Sequence, residues 1–309
     1  MTGAVVPADC DLIIPVEQIT KANSTFEIPK TNLTPYQFIH KKGSDFQKGD
    51  LLVPAYQRIK SREIAIAASI GQTPIEIISP PTVTIITTGD EVIPIAQTPS
   101  HTQIRQSNGI ALQAALQPYS LSNLNLIHVK DDAAHTQETV KKAIKSSNLV
   151  LLTGGISKGK FDFVRKAVDS QLGSPLFHGV AQKPGKPLAF WHQESNSDPK
   201  TVFALPGNPI SVAITFHKYV TQFLDQWFRQ DAPQMQITLA QDFEIKKPLP
   251  LESFVPATLT STRHGLATLS SIKNSGDLAS SIQTTGFVKL PSNKKHFPQG
   301  SVVSYHPWI

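Results

Sequence analysis

The sequence has a single cysteine, Cys10, among its 309 residues. One thiol can form no internal disulfide, and it supplies neither the CxxC pair of a zinc ribbon nor the ligands of an iron–sulfur cluster, so these classes are excluded. Long apolar runs are also lacking, since the longest, such as residues 149–152, are far shorter than the ~18 residues that span a bilayer. The first residues show no basic start followed by an apolar run. We therefore expect a soluble, cytoplasmic protein with no membrane partner.

Charge of one sign is not concentrated anywhere in the chain. Lys and Arg number 29 against 23 Asp and Glu, a formal net charge of +6, and the basic residues are scattered as pairs. A nucleic-acid-binding domain would instead collect them into a stripe. The pattern indicates a mildly basic surface and favours a small-molecule substrate, with no nucleic acid.

The middle of the chain alternates short β-rich runs with helical patterns, which is typical of parallel βαβ units. The length gives a prior of about two domains. We predict strands at residues 82–87, 124–129, 148–153, 176–180, 188–191 and 201–205, and helices at 109–116, 137–146, 161–171 and 210–228. The fold class is therefore α/β: a central three-layer, doubly wound domain at 81–230, β-rich N-terminal residues 1–80 with one helix at 61–70, and a C-terminal β-barrel-like domain at 231–309.

Ligands of an open parallel sheet bind beyond the carboxyl ends of its strands, so the residues that follow each strand are the candidates for a binding site. They are TTGDE at 87–91, DD at 131–132, TGGISKGKFD at 153–162, KPGKP at 183–187 and PGNP at 206–209. Glycine-rich backbone exposes N–H groups to an anion, a following helix N-terminus adds its dipole, and lysines neutralise further charge. The sequence therefore predicts a site for a phosphate-bearing ligand.

Carboxylates occur beside these lysines and would repel an anion if left alone. They are Asp90, Glu91, Asp131, Asp132 and Asp162. A divalent cation that bridges acid and phosphate oxygens resolves the conflict, and Mg²⁺ is the expected ion. The alternative is structural: Asp131 and Asp132 cap the next helix, and Gly89 and Asp90 form a turn.

The glycine-rich stretch after the third strand also matches two other motifs. Residues 155–159 fit GxSxG, the nucleophile elbow of hydrolases, with Ser157 as nucleophile, but no oxyanion segment, acid or base is singled out. Residues 154–160 fit GxxxxGK, but Phe161 stands where a Walker A loop needs Ser or Thr for magnesium.

Taken in order, these blocks resemble molybdopterin molybdenumtransferases, a family similar to the E domain of gephyrin. Ser107-Asn108, the start at Thr2-Gly-Ala and residues 42–50 and 231–309 extend the resemblance over nearly the whole chain. The family's Asp-Gly-Tyr-Ala segment, which precedes the Thr-Gly-Ala motif, is not in this sequence. The fold that the resemblance implies agrees with the one predicted above.

The resemblance implies the last step of molybdenum cofactor synthesis. Adenylylated molybdopterin and molybdate are the substrates, a divalent metal assists cleavage of the phosphoanhydride, and AMP is released. Asp162, Asp131 and Lys186 would be catalytic, and Asp90, Glu91 and Asp162 would hold Mg²⁺. Substrate binding would fall to Thr2, Gly154, Gly155, Ser157, Gly159, Lys183, Pro206, Gly207, Asn208 and Pro209.

The same resemblance implies protein partners, and two alternative functions remain open. We expect a homodimer that contacts molybdopterin adenylyltransferase and apo-molybdoenzymes. The alternatives are a molybdopterin adenylyltransferase, whose single-domain fold is similar to residues 82–228, and a scaffold or binding module with impaired catalysis.

Overall fold

The structure is a computed structural model that describes residues 2–28, 33–121, 123–154, 161–231, 235–245, 250–261, 265–270 and 274–308, without the side chains of Ala22, Phe161 and Asp162. The chain forms two compact units, Met1–Thr73 and Pro74–Ile309. Within the described residues, no helix is long and apolar enough to cross a membrane.

The first unit contains a short antiparallel hairpin and one helix. Strands β1 (Thr20–Ala22) and β2 (Thr25–Glu27) pair with each other, after a 3₁₀ turn at Val16–Gln18. Helix α1 (Ser61–Ser69) begins where the Glu63 carboxylate accepts the Lys60 N–H at 2.8 Å, and Gly71 follows it with φ +72°. The helix predicted at 61–70 is therefore confirmed. In the described part of this unit, β1 and β2 are the strands, so residues 1–80 hold less β structure than the Val- and Ile-rich sequence indicates.

The second unit begins with a layered α/β domain. Its elements are β3 (Val83–Thr88), β4 (Val92–Ile93), β5 (Ile104–Arg105), α2 (Asn108–Leu116), β6 (Leu124–Val129), α3 (Ala133–Ser146), β7 (Leu149–Thr153), α4 (Phe161–Leu172), β8 (Phe177–His178), β9 (Gln182–Lys183), β10 (Ala189–Gln193), β11 (Lys200–Leu205), α5 (Pro209–Thr215) and α6 (Thr221–Trp227), with a 3₁₀ turn at Gln117–Tyr119. The main sheet has the order β6-β3-β7-β11-β10-β8. Strands β6, β3, β7 and β11 are parallel, whereas β10 is antiparallel to both of its neighbours.

Alternate residues of the sheet face two separate apolar cores. Ile85, Leu151 and Phe203 pack with α2, α5 and α6, whereas Ile86 and Leu152 pack with α3 and α4. Since β3 and β7 are buried on both faces, their sequences are continuous apolar or threonine runs. The structure thus confirms the three-layer α/β fold.

The helix predicted at 210–228 is interrupted by a π-helical turn at Phe216–Val220. Three side chains bond carbonyl oxygens one turn back: Thr215 Oγ1 to Ser211 at 2.7 Å, His217 Nδ1 to Ala213 at 2.8 Å and Thr221 Oγ1 to His217 at 2.7 Å. Such bonds compete with the backbone ladder and distort helices. The turn places Lys218 and Tyr219 toward the C-terminal domain.

The C-terminal residues form a closed barrel. Its strands are β12 (Met235–Leu239), β14 (Glu252–Ser261), β15 (Leu266–Leu269), β16 (Gly286–Leu290) and β18 (Val302–Pro307). Outside the barrel sheet, β13 (Phe243–Glu244) pairs with β17 (His296–Phe297), and a 3₁₀ turn covers Ala279–Ser281. The barrel order is β15-β12-β18-β16-β14, and β14 returns to β15. Residues 236–245, whose apolar and polar side chains alternate as in one continuous strand, form two strands, β12 and β13. Ala240 still donates its N–H to the Ala267 carbonyl of β15, and the chain bends at residues 240–241 before β13 begins.

The α/β domain and the barrel are joined by backbone and by apolar packing. Strand β9 continues the barrel sheet by pairing parallel to β14. Ile210 and Ile214 of α5 pack with Phe254 and Phe287 of the barrel. This junction fixes one wall of the cleft described next.

Candidate functional site

A cleft of about 1220 Å³ lies beyond the carboxyl ends of β3, β7 and β11. Residues Thr88, Gly154 and Gly207 line it from these strand ends, and β13, β14 and residues that follow β15 line it from the C-terminal domain. The location is the one expected for ligands of a parallel sheet.

The floor of the cleft is a close approach of three strand ends. A Cβ on Gly154, whose φ is +90°, would lie 2.3 Å from the Thr88 carbonyl oxygen, so only glycine fits. Asn108, at the start of α2, donates from Nδ2 to the Gly207 carbonyl at 2.7 Å and to Thr153 Oγ1 at 3.4 Å. These contacts hold the backbone after β7 against the backbone after β11.

The two lysines of the KPGKP segment lie on the rim of the same cleft. Lys183 and Lys186 are exposed, and neither forms an ion pair with any acid in the described ranges. Two positive charges therefore face the cleft beside backbone amides, an arrangement suited to an anion.

Most of the predicted binding residues that the structure describes come together here. Gly154, Lys183, Lys186, Pro206, Gly207 and Asn208 line the cleft, as does Glu91. Pro209 instead begins α5, one residue after Asn208. Thr2 lies in the first unit and is exposed. Gly155, Ser157 and Gly159 lie outside the described residues, as does the side chain of Asp162.

The predicted acidic residues have different surroundings. Glu91 lines the cleft, and its carboxylate covers Gly89, where a Cβ would lie 2.7 Å from Oε2. Asp90 and Asp131 bond each other's backbone N–H groups. Asp132 Oδ1 accepts the His135 N–H at 2.6 Å and caps α3, which confirms the structural alternative for this residue.

The side chains available as metal ligands determine how the predicted Mg²⁺ could be held. The residues that the structure describes contain no group of three or more His, Cys, Asp or Glu side chains able to hold a metal ion. Mg²⁺, however, is commonly held by one or two carboxylates together with substrate phosphates and water. Glu91 in the cleft fits that second mode.

Arg105 and Gln106 also contribute polar side chains to the cleft, and neither was predicted as a site residue. Arg105 lines it, and its Nε donates to the carbonyls of Ile95 and Gln97, both at 3.1 Å. Gln106 also lines it and donates to Thr87 Oγ1, which pairs with His128 Nδ1, both at 3.0 Å. Arg105 ends the short strand β5 and Gln106 follows it, and this strand has no apolar run to mark it.

Comparisons with known proteins match all three parts of the chain. Residues 84–226 match a family model described as a probable molybdopterin binding domain. Residues 1–71 match the MoeA N-terminal region (domain I and II), and residues 238–308 match the MoeA C-terminal region (domain IV). The α/β domain with its cleft thus defines a molybdopterin-binding class of protein.

Whole-chain relatives define the family. The chain is 36% identical to a molybdopterin molybdenumtransferase of Synechocystis sp., over all of this chain and 76% of that protein. It is 30% identical to one of Staphylococcus epidermidis, over 98% of this chain and 72% of that protein. A crystal structure of the molybdopterin biosynthesis MoeA protein from Pyrococcus horikosii superposes with a TM-score of 0.80 at 26% identity, covering 99% of this chain and 74% of that chain. The chain belongs to the molybdopterin molybdenumtransferase family, enzymes of molybdenum cofactor biosynthesis.

Proposed function

We propose that the chain inserts molybdate into adenylylated molybdopterin and releases AMP in a reaction that requires a divalent cation. We further propose that it acts in the cytoplasm as a homodimer. The observation that supports this reaction best is the cleft at the ends of β3, β7 and β11, which is lined both by Gly154 and Gly207 and by Lys183 and Lys186.

The cleft offers complementary groups for an anionic nucleotide-like substrate. The two ammonium groups attract the phosphate and molybdate oxygens, and burial of the substrate between the sheet and the barrel strengthens that attraction. The Asn108 amide keeps the Gly207 turn in place as the substrate enters. In this proposal the protein supplies binding and electrostatics, and the dithiolene sulfurs of the substrate supply the ligands for molybdenum.

Glu91, with Asp90 and Asp162 as further candidates, would hold Mg²⁺ together with oxygens of the phosphoanhydride. Water attacks the adenylate phosphorus, the bond from that phosphorus to the bridging oxygen breaks, and AMP leaves with the oxygen of the water; a bound cation would supply charge neutralisation at these oxygens. The phosphate of molybdopterin stays on the product, whose sulfurs then bind molybdenum.

The test is release of AMP from adenylylated molybdopterin, followed by chromatography, with molybdate and Mg²⁺ each present or omitted. We expect AMP only when the divalent cation is present, with faster release when molybdate is added. A chain that forms adenylylated molybdopterin from ATP would instead be an adenylyltransferase, and one that binds without turnover would be a scaffold.

Two substitutions link the reaction to this cleft. Lys186→Ala should weaken substrate binding, with a larger effect at low than at high salt, and Asp162→Asn should abolish metal-dependent turnover. The matched control for the lysine is Lys141→Ala on α3, which lies outside the cleft. Equal effects of the two lysine substitutions would contradict the proposed site.

A further inference from the structure

The KPGKP segment is folded around the side chain that precedes it. Gln182 is 1% exposed, and its Nε2 donates to the Pro184 carbonyl at 2.9 Å. A Cβ on Gly185 would lie 2.7 Å from that same Nε2 and 2.6 Å from Thr215 Cγ2. The amide of Gln182 and the methyl of Thr215 therefore fill the inside of the segment and leave space only for glycine at position 185.

A tyrosine from the π-helical turn fixes the orientation of this amide. The Tyr219 hydroxyl donates to Gln182 Oε1, so the amide nitrogen faces Pro184. Burial, and then the charge of Glu252, raises the pKa of Tyr219 to about 12. The hydroxyl therefore remains protonated, and a donor, at neutral pH.

Backbone pairing with the barrel anchors the other side of Gln182. Gln182 pairs with Glu252 in the β9–β14 ladder, and the Glu252 N–H donates to the Ala181 carbonyl at 2.9 Å. The Glu252 carboxylate bonds Lys289 Nζ at 2.6 Å and lies 3.6 Å from Lys218 Nζ. Gln182 is thus fixed on one side by Tyr219 of the helix layer and on the other by backbone pairing with the barrel.

From this arrangement we propose that Gln182 and Tyr219 are positioning residues, which set the separation of the Lys183 and Lys186 ammonium groups and so the affinity for the oxyanion between them. The inference rests on the proposed function, because it assigns these lysines to the anionic substrates. The lysine side chains have no ion-pair partner in the described part of the chain. Their placement therefore depends on the backbone that Gln182 supports.

The experiment compares Gln182→Met and Tyr219→Phe with wild-type protein. Methionine keeps the length and apolar contacts of the side chain but removes both hydrogen bonds, and phenylalanine removes one. Tyr305→Phe is the matched control, because its hydroxyl bonds Thr285 Oγ1 at 2.9 Å inside the barrel, and Tyr305 does not line the cleft. The readouts are KM for molybdate and kcat of AMP release, and hydrogen exchange of the Gly185 and Lys186 amides in the free protein.

Both test variants should raise KM for molybdate by about tenfold and leave kcat within about threefold, since loss of a ground-state contact acts on binding. Exchange of the two amides should accelerate in both, and Tyr305→Phe should change neither readout. Unchanged KM and unchanged exchange in Gln182→Met would overturn the inference.

The two proposals fail in different ways. If wild-type protein releases no AMP under any condition, the proposed function fails, and the inference is then decided by amide exchange together with calorimetric titration of molybdate alone. In that case, faster amide exchange together with weaker molybdate binding in Gln182→Met supports the inference. Amide exchange and molybdate binding equal to those of the wild type overturn the inference. If Gln182→Met does not fold, the milder Tyr219→Phe decides by the same criteria.

Discussion

Asp90 and Asp131 accept hydrogen bonds from each other's backbone N–H groups. The Asp131 N–H lies 3.1 Å from Asp90 Oδ1, and the Asp90 N–H lies 3.2 Å from Asp131 Oδ2. The pair continues the contact of β3 with β6 beyond Thr88 and Val129, the last residues of their ladder. Two of the acids predicted to serve the reaction therefore also close the edge of the sheet beside the cleft.

This relationship separates the structural role of Asp131 from a chemical one. Asp131→Asn keeps an oxygen that can accept the Asp90 N–H, so its free energy of unfolding should stay within about 0.5 kcal/mol of wild type. Asp131→Ala removes the acceptor and should cost about 1 kcal/mol. Urea unfolding measures both.

Turnover of the same variants completes the test. If the negative charge of Asp131 takes part in the reaction, the stable Asp131→Asn protein should lose AMP release. Full activity in that variant would show that Asp131 has only the structural role of joining the ends of β3 and β6.

The close approach at Gly154 gives a second prediction. Gly154 and Gly173 both have positive φ, +90° and +77°, but only at Gly154 would a Cβ meet neighbouring atoms. Gly173→Ala should therefore cost about 1 kcal/mol of backbone strain. Gly154→Ala adds a contact with the Thr88 carbonyl and should cost about 2–4 kcal/mol. Equal losses of unfolding free energy, measured in urea, would contradict the packing of the cleft floor.

The sequence predicts the layered domain well because its strands are marked by the apolar residues they bury. The β6 strand lies at the predicted residues, and β7 and β11 lie within one residue of theirs. The strand ends then follow, and with them the convergence of Gly154, Gly207 and Lys186 on one cleft. Parallel topology alone brings these positions together, so no side-chain detail is needed.

Contacts that depend on side-chain direction could not be predicted. Tyr219 and Gln182 are 37 positions apart, and their bond exists because a π turn rotates the helix. The break between β12 and β13 is likewise hidden, since the sequence alternates through both strands. Side-chain orientation and register are fixed by tertiary packing, which leaves no periodic signal.

Glu252 gives a third prediction, about the junction of the two domains. Partial burial of its carboxyl favours the neutral acid, but the bond to Lys289 and the charges of Lys218 and Lys289 outweigh it and lower the pKa of Glu252. Lys218 is largely buried and lies 4.1 Å from the centre of the Phe254 ring. Glu252→Gln leaves both lysines without their partner and should lower the free energy of unfolding by about 1 kcal/mol. The loss is smaller than for a fully buried pair because solvent screens these charges.

The control for that substitution is Glu244→Gln, which breaks the exposed pair of Glu244 with Lys295. Thermal or urea unfolding should show the larger loss for Glu252→Gln. A larger loss for Glu244→Gln would show that the junction does not depend on the partly buried cluster of Glu252, Lys218 and Lys289.

A pair of histidines at the same junction predicts how stability depends on pH. Burial lowers the pKa of His217, and burial together with the positive charges of Lys218, Lys289 and His217 lowers the pKa of His306. The unfolded chain, with His near its ordinary value of about 6.5, then binds more protons than the folded chain as the pH falls through that value. The stability that the neutral histidines contribute is present above about pH 6.5 and is lost as the pH falls toward their folded pKa values.

Urea unfolding at about pH 7.5 and about pH 5.5 measures this loss, at pH values above the range in which carboxylates titrate. The double variant His217→Gln, His306→Phe removes both titrating groups. Glutamine can still donate to the Ala213 carbonyl, and phenylalanine can still stack on Phe287, whose ring centre lies 4.9 Å from that of His306. We expect a smaller difference between the two pH values in this variant than in wild type or in His101→Gln, which alters an exposed turn. A difference as large as that of the wild type would assign the acid sensitivity to groups elsewhere in the chain.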